Sequence, residues 1–529
     1  MSNVETQEEK LRAPGEDTEI REQREWHRQA FGIVLGLGLA ALVYFFFPQN
    51  AAEVVLQSTG ADPETEYSYH SMRVVAAVTV WMAVWWMTEA IPLAATALIP
   101  IAVFPITQVA TFAEVGAPYA SSTIFLFLGG FLLALGLQRW NVHRRIALGV
   151  VMIVGTSPKR LILGFMLATG FMSMWVSNTA TAVVMLPIGL SVLALTADTV
   201  GGWKNQKNFA TALMLAIAYS ASIGSLATLI GTPPNALLKG YMEEAHGITI
   251  GFGQWMMVGL PIAIIFTFLA WFVLITVFKP EMNDIPGGKD LIRKEIDKMG
   301  KWTVPQIIAT IIFVLAALTW VFLPLAMDWF AWDFAYDDAI VGIIAGLLMF
   351  LLPSDTKTGV RILDWKTANE IPWDVLLLFG GGLSLSGMFT KTGLSLWIGE
   401  QAKGLAVLPT FLLIGAVALL VLILTEFTSN TATAATFLPI MGGVAVGIGL
   451  TDSPAGEMNV LLLTIPVALA ATCAFMLPVA TPPNAIAYGS GYVKIGDMIK
   501  GGLWLNLIAV VLITLAVYFI AVPVFGLSV

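Results

Sequence analysis

The chain has 529 residues, of which 57% are hydrophobic and only 12% charged, with a net charge of −8. Its mean hydropathy is +0.81, whereas a soluble domain carries roughly 25% charged residues, so a water-soluble globular protein is excluded. The apolar segments are continuous rather than alternating, which excludes a membrane β-barrel and leaves an all-α polytopic membrane protein with room for about eleven spans.

Residues 1–29 are polar and carry Lys10, Arg12, Arg21, Arg24 and Arg28 among many acids. That is the composition of a disordered cytoplasmic tail and not of a signal peptide. A first span is predicted at 30–48, and the stretch 49–72 has no Lys or Arg. The positive-inside rule then places the N-terminus in the cytoplasm and 49–72 outside. Spans at 73–92, 94–108 and 121–138 follow, the last leading into Arg139, Arg144 and Arg145 on the inside.

From Leu161 to Ala197 there are 37 residues without a charge. As one straight helix they would measure roughly 55 Å against a hydrocarbon core of about 30 Å. Lys159 and Arg160 precede the run and Lys204 and Lys207 follow it, so both ends lie inside and the chain folds back. The expected tip of this hairpin, 161–197, is Ser177-Asn178-Thr179, whose side chains can bond a broken backbone at mid-membrane depth. A plain two-span hairpin is the alternative. The next span, 209–230, runs into Gly231-Thr232-Pro233-Pro234-Asn235-Ala236. Two adjacent prolines force Thr232 out of helical geometry, so a helix break is predicted at 231–236. A span at 255–278 leads to a basic cytoplasmic loop at 279–302, which separates residues 30–278 from 303–529.

The second part repeats the first. Ser177-Asn178-Thr179-Ala180-Thr181-Ala182 returns 252 positions later as Ser429-Asn430-Thr431-Ala432-Thr433-Ala434. Thr232-Pro233-Pro234-Asn235-Ala236 returns as Thr481-Pro482-Pro483-Asn484-Ala485, and Glu89-Ala90-Ile91-Pro92 is echoed by Asn369-Glu370-Ile371-Pro372. Spans are predicted at 303–323, 339–353, 374–390, 458–479 and 503–525, with a second hairpin at 405–447 and a second break at 480–485. Five crossings separate corresponding points, so the repeats are inverted and the second hairpin enters from outside, where the C-terminus also lies. Lys391 and Lys403 fall outside on this topology, against the general trend.

These motifs define a candidate site. A Ser-Asn-Thr cluster in an apolar run costs free energy unless its groups have partners, and alone it is more often an interhelical hydrogen-bond patch. Two identical hexapeptides together with two Thr-Pro-Pro-Asn-Ala breaks point instead to a binding site at the repeat interface. Asn178, Thr179, Asn430, Thr431, Thr232, Thr481 and Pro482 form the expected substrate set, with Ser173 and Thr425 nearby. Helix N-termini at each break suit an anion, and the exposed carbonyls suit a hard cation such as sodium. No Lys or Arg is predicted near either motif, so bound cations would supply the counter-charge for a dianion. Glu426 is an intramembrane acid, either functional or bonded to backbone at the hairpin. Gly129-Gly130 and Gly380-Gly381 are read as close-packing positions. The single cysteine, Cys473, excludes an internal disulfide and is read as a packing residue. The four histidines, His27, His70, His143 and His246, fall in tails, loops or span ends and form no catalytic cluster. An enzyme is therefore not expected, and a channel differs from a carrier by failing to saturate.

The chain resembles the divalent anion/sodium symporter family, the sodium-dependent dicarboxylate and citrate transporters. The resemblance spans 30–525 and rests on Trp85-Trp86-Met87-Thr88-Glu89-Ala90-Ile91-Pro92, both Ser-Asn-Thr motifs, both Thr-Pro-Pro-Asn breaks and the run Ala474-Phe475-Met476-Leu477-Pro478-Val479-Ala480. It implies a homodimer in membrane lipid, each protomer having a scaffold and an elevator-type transport domain, with arm helices near 139–150 and 391–403. It also implies that Asn178, Thr179, Asn430 and Thr431 bind substrate carboxylates. One sodium site would use Ser173, Ser177, Asn178 and Gly231, and the other Thr425, Thr428, Asn430 and Ala480. The acidic tail is outside the family pattern. The expected activity is sodium-driven import of C4-dicarboxylates such as succinate, fumarate or malate across the cell membrane. The alternatives are a sodium-independent exchanger, or the same fold carrying citrate or sulfate. Sodium is the expected coupling ion; no cofactor and no nucleic-acid partner is expected.

Overall fold

Continuous apolar sequence leaves the backbone no solvent to bond with, so the chain satisfies its own N–H and C=O groups within helices. The computed structural model describes residues 18–59, 67–155, 157–200, 202–282, 288–332, 336–355 and 359–529. Among these every regular element is helical, apart from one isolated bridge between Pro353 and Arg361. Nine helices of the described residues are long and apolar enough to cross a bilayer, with shorter apolar helices at Leu93–Ile106, Asp338–Leu351, Thr410–Thr425 and Gly456–Thr472.

Helices occupy the predicted span positions, from Thr18–Phe46 and Tyr69–Thr88 to Trp373–Thr392, Leu461–Thr472 and Ile495–Ala516. Three expectations change. Residues 1–17 of the expected tail lie outside the described residues, but from Thr18 the chain is already helical. Residues 18–29 are rich in Glu, Gln and Arg, which favour helix, and contain no Gly or Pro to stop the span's helix from extending into them. The loop 279–302 carries a helix, Gly288–Lys298, which its buried Ile292 and half-buried Glu295 dock. Arg144 of the helix Val142–Val154 donates to Glu295 at 2.9 Å. The helix breaks begin upstream of 231–236 and 480–485 and end at the prolines.

Paired glycines set the closest helix contacts, as expected for helices associating in lipid. A Cβ on Gly129 would lie 2.3 Å from the Gly342 carbonyl carbon, so Ser122–Arg139 and Asp338–Leu351 meet backbone to backbone. A Cβ on Gly381 would lie 2.4 Å from the Ala97 carbonyl oxygen. Both glycine pairs thus serve packing.

Candidate functional site

Each hairpin consists of two helices separated by four unwound residues: Pro158–Ser173 and Asn178–Val200 in the first, Thr410–Thr425 and Asn430–Gly447 in the second. In both, the motif asparagine is the first residue of the returning helix. The hydroxyl before each turn bonds that asparagine. Ser173 Oγ lies 2.8 Å from Asn178 Oδ1 and 2.5 Å from the Ala221 carbonyl. Thr425 Oγ1 lies 2.9 Å from Asn430 Oδ1 and 2.7 Å from the Ala471 carbonyl. Two different residue types therefore fix the two asparagines in the same way, each from a fully buried position.

The broken helices are Lys207–Ser225 with Pro233–His246, and Leu461–Thr472 with Pro482–Gly489. The unwound residues are 226–232 and 473–481. The prolines open the second half-helix instead of ending the first, because at a helix start the missing N–H has no intrahelical acceptor to lose. Thr232 and Thr481 are extended, with φ −144° and −142°. The motif asparagines span the unwound chain from behind. Asn235 Nδ2 donates to the Thr228 carbonyl at 2.9 Å, and Asn484 Nδ2 to the Ala474 and Leu477 carbonyls at 3.0 and 3.1 Å. Gly231 is required at its position, since a Cβ there would lie 2.3 Å from the Ser225 carbonyl oxygen. The halves touch directly where Thr232 Oγ1 meets Thr472 Oγ1 at 3.3 Å.

Both tips and both breaks open on one cavity of about 930 Å³. Of the residues predicted from sequence, Ser177, Asn178, Thr179, Gly231, Thr232, Thr428, Asn430, Thr431, Ala480, Thr481 and Pro482 line it. Ser173 and Thr425 do not reach it and stand behind their asparagines. The cavity wall is apolar at Leu93, Phe127, Phe131, Leu135 and Leu378. Four helices begin at this cavity, at Asn178, Pro233, Asn430 and Pro482. Their free N–H groups and partial positive charge favour an anion. Four other helices end beside it, at Ser173, Ser225, Thr425 and Thr472. Their terminal carbonyls, with the Asn178 and Asn430 Oδ1 atoms, offer the oxygen donors that a hard monovalent cation takes.

Glu426, for which sequence left two readings open, bonds backbone. Its carboxylate is 3% exposed and accepts from Phe475, Met476 and Leu477 N–H and from Asn506 Nδ2. Cys473 is buried at the start of the same unwound stretch.

Sequence reasoning missed the charged mouth. Arg28, Glu89, Gln138, Glu370 and Asp374 line the same cavity, and Arg28 donates to Glu89 at 3.0 Å. A cation therefore does stand in this cavity, although a carboxylate already pairs with it. The echo of Glu89-Ala90-Ile91-Pro92 in Asn369-Glu370-Ile371-Pro372 was the available signal. Lys239 was also missed because it lies in the half-helix beyond the break. It is 1% exposed, and its ammonium is 3.9 Å from Glu243.

Curated relatives share most of this chain. It is 43% identical over 460 residues to a sodium-dependent dicarboxylate transporter, SdcS, of Staphylococcus saprophyticus, covering 86% of this chain and 87% of the relative. It is 41% identical over 507 residues to SdcS of a Staphylococcus aureus strain, covering 95% and 93%. Among solved structures it is similar to the Alcanivorax borkumensis YdaH transporter at 14% identity and a TM-score of 0.46, covering 86% and 99%. The model of the sodium:sulfate symporter transmembrane region matches residues 51–526, and the chain belongs to that family of transporters.

Proposed function

We propose that this protein is a sodium-coupled symporter of C4-dicarboxylates such as succinate, fumarate and malate in the cell membrane. The observation that carries this reading is the convergence of two Ser-Asn-Thr tips and two Thr-Pro-Pro-Asn breaks on one cavity. Relatives named as sodium-dependent dicarboxylate transporters support it. In this reading each carboxylate of the substrate meets one tip. Asn178 and Thr179 hold one end, Asn430 and Thr431 the other, and Thr232, Thr481 and Pro482 close the sides. One sodium ion takes oxygens from Ser173, Ser177, Asn178 and Gly231, and another from Thr425, Thr428, Asn430 and Ala480. The Asn178 and Asn430 side chains each serve both partners, so substrate and cation bind together and each lowers the cost of placing the other.

Residues 30–278 hold a first span and the first repeat, residues 303–529 the second, inverted repeat, with a cytoplasmic N-terminus and an external C-terminus. The cavity then opens toward the cytoplasm, where Arg28 and Glu89 lie. Hairpins and broken helices move together as an elevator against a scaffold, in a homodimer. Labelled succinate uptake into proteoliposomes tests the coupling. Accumulation is expected with an inward sodium gradient and not with potassium alone. Equal uptake in both would favour a sodium-independent exchanger and remove the symport reading.

A further inference from the structure

The two halves differ at a buried place beside each turn. In the second, the Glu426 carboxylate accepts three consecutive backbone N–H groups of the unwound stretch at 2.8 to 3.2 Å and the Asn506 amide at 2.6 Å. In the first, the corresponding residues are Met174, 252 positions before Glu426, and Ala263. The correspondence of Ala263 with Asn506 is fixed by the glycines four residues earlier. A Cβ on Gly259 would lie 2.4 Å from the Leu226 carbonyl oxygen, and one on Gly502 would lie 2.4 Å from that of Phe475. Met174, Ala227 and Ala263 form a small apolar cluster of their own. A buried hydrogen-bonded carboxylate in one half thus stands where the other half has an apolar contact.

The consequence is electrostatic. Both Glu426 oxygens accept hydrogen bonds, so the carboxylate orients the peptide planes of 475–477 and leaves a net negative charge in an interior that screens it weakly. Thr425 precedes it directly and Thr428 follows two residues later, both members of the second cation set. The first set has no carboxylate at the matching place. Outer-shell partners of this kind tune the affinity of metal sites. We infer that Glu426, held by Asn506, makes the two cation sites unequal, so that the second-half site binds sodium more tightly and fills first. This rests on the sodium-coupled reading above. Asn506 is a positioning residue, because it acts only through Glu426.

Thermal unfolding of the purified full chain in detergent, titrated with sodium against potassium at constant ionic strength, tests this without transport. Glu426→Gln and Asn506→Ala should each raise the half-saturating sodium concentration by roughly tenfold. Met174→Leu should leave it within about twofold, as a volume-conserving swap does. Adding Asn506→Ala to Glu426→Gln should shift it no further. Glu426→Gln should be non-additive with Thr425→Ala and additive with Ser173→Ala. Should Glu426→Gln not fold, the Asn506→Ala titration carries the same test. Unshifted half-saturation in the variants, or coupling to Ser173 instead of Thr425, would overturn the inference alone. No stabilisation of the wild type by sodium over potassium would overturn the sodium-coupled reading itself.

Discussion

The two tips are identical over six residues, yet their supports differ. Asn178 Nδ2 lies 3.3 Å from Ser225 Oγ, while the matching position in the second half is Ala474, which has no hydroxyl to offer Asn430. Thr428 and Thr433 share a hydroxyl contact at 2.6 Å, whereas the first half has Val176 in place of Thr428, and the buried Thr181 hydroxyl has no hydrogen-bond partner. Glu426 corresponds to Met174. What stays constant at the cavity is the motif asparagines, the threonines that follow them and the helix starts. What varies is the means of holding an unwound backbone, which can be hydrogen-bonded or simply packed.

Mutations can break this comparison at either level. The largest effects should come from the shared layer. Asn178→Ala and Asn430→Ala should each lower succinate uptake by about 100-fold or more while elution on gel filtration stays unchanged. Wild-type flux in either variant would show that its tip is not a ligand, and the halves would be unequal in function as well as in support. The next largest effect should come from the divergent layer. Glu426→Ala strands three backbone donors and the Asn506 amide, and each unsatisfied buried donor costs about 1–3 kcal/mol, so a loss of about 4 kcal/mol or more is expected. Met174→Ala leaves an apolar cavity and should cost about 2 kcal/mol. Equal melting shifts for the two variants would mean that the charge network adds nothing over packing.

The internal repeat made the shared layer legible in the sequence, because an identical polar hexapeptide inside apolar sequence has few structural uses. The asparagines, threonines and breaks predicted from it meet in one cavity. The break boundaries were less legible. In the sequence a proline pair signals the end of a helix, but its fixed φ also suits a helix start, and the unwound residues precede it. The divergent layer was hidden for another reason. Met174, Ala227 and Ala263 look like ordinary membrane residues, and Asn506 lies 80 positions from Glu426, so only the fold joins them. The charged mouth stayed hidden because Arg28 sits in what reads as a tail.

A subtler test moves the asparagine's partner between halves. Ala474→Ser should give Asn430 the partner that Ser225 gives Asn178 and so compete with substrate for its amide. A competing hydrogen bond is worth about 0.5–1.5 kcal/mol, which raises the KM for succinate by roughly two- to tenfold. Ser225→Ala should lower KM or leave it unchanged. If Ala474→Ser improved affinity, Asn430 would need fixing more than it needs freedom, and the asymmetry would be a defect of the second tip.

The smallest expected effect is the most specific to the fold. Thr181 corresponds to Thr433, and Val176 to Thr428, so Val176→Thr should place a hydroxyl where the orphaned Thr181 hydroxyl can reach it. Both positions are buried, 4% and 0% exposed, and the substitution changes shape little. A satisfied pair should stabilise the first hairpin by about 0.5–1 kcal/mol in thermal unfolding. The mirror variant Thr428→Val should cost no more than that, since Thr433 keeps its bond to the Ser429 carbonyl at 3.0 Å. Were Val176→Thr to destabilise the protein, the two turns would not superpose in this detail, and the likeness of the halves would end at the cavity surface.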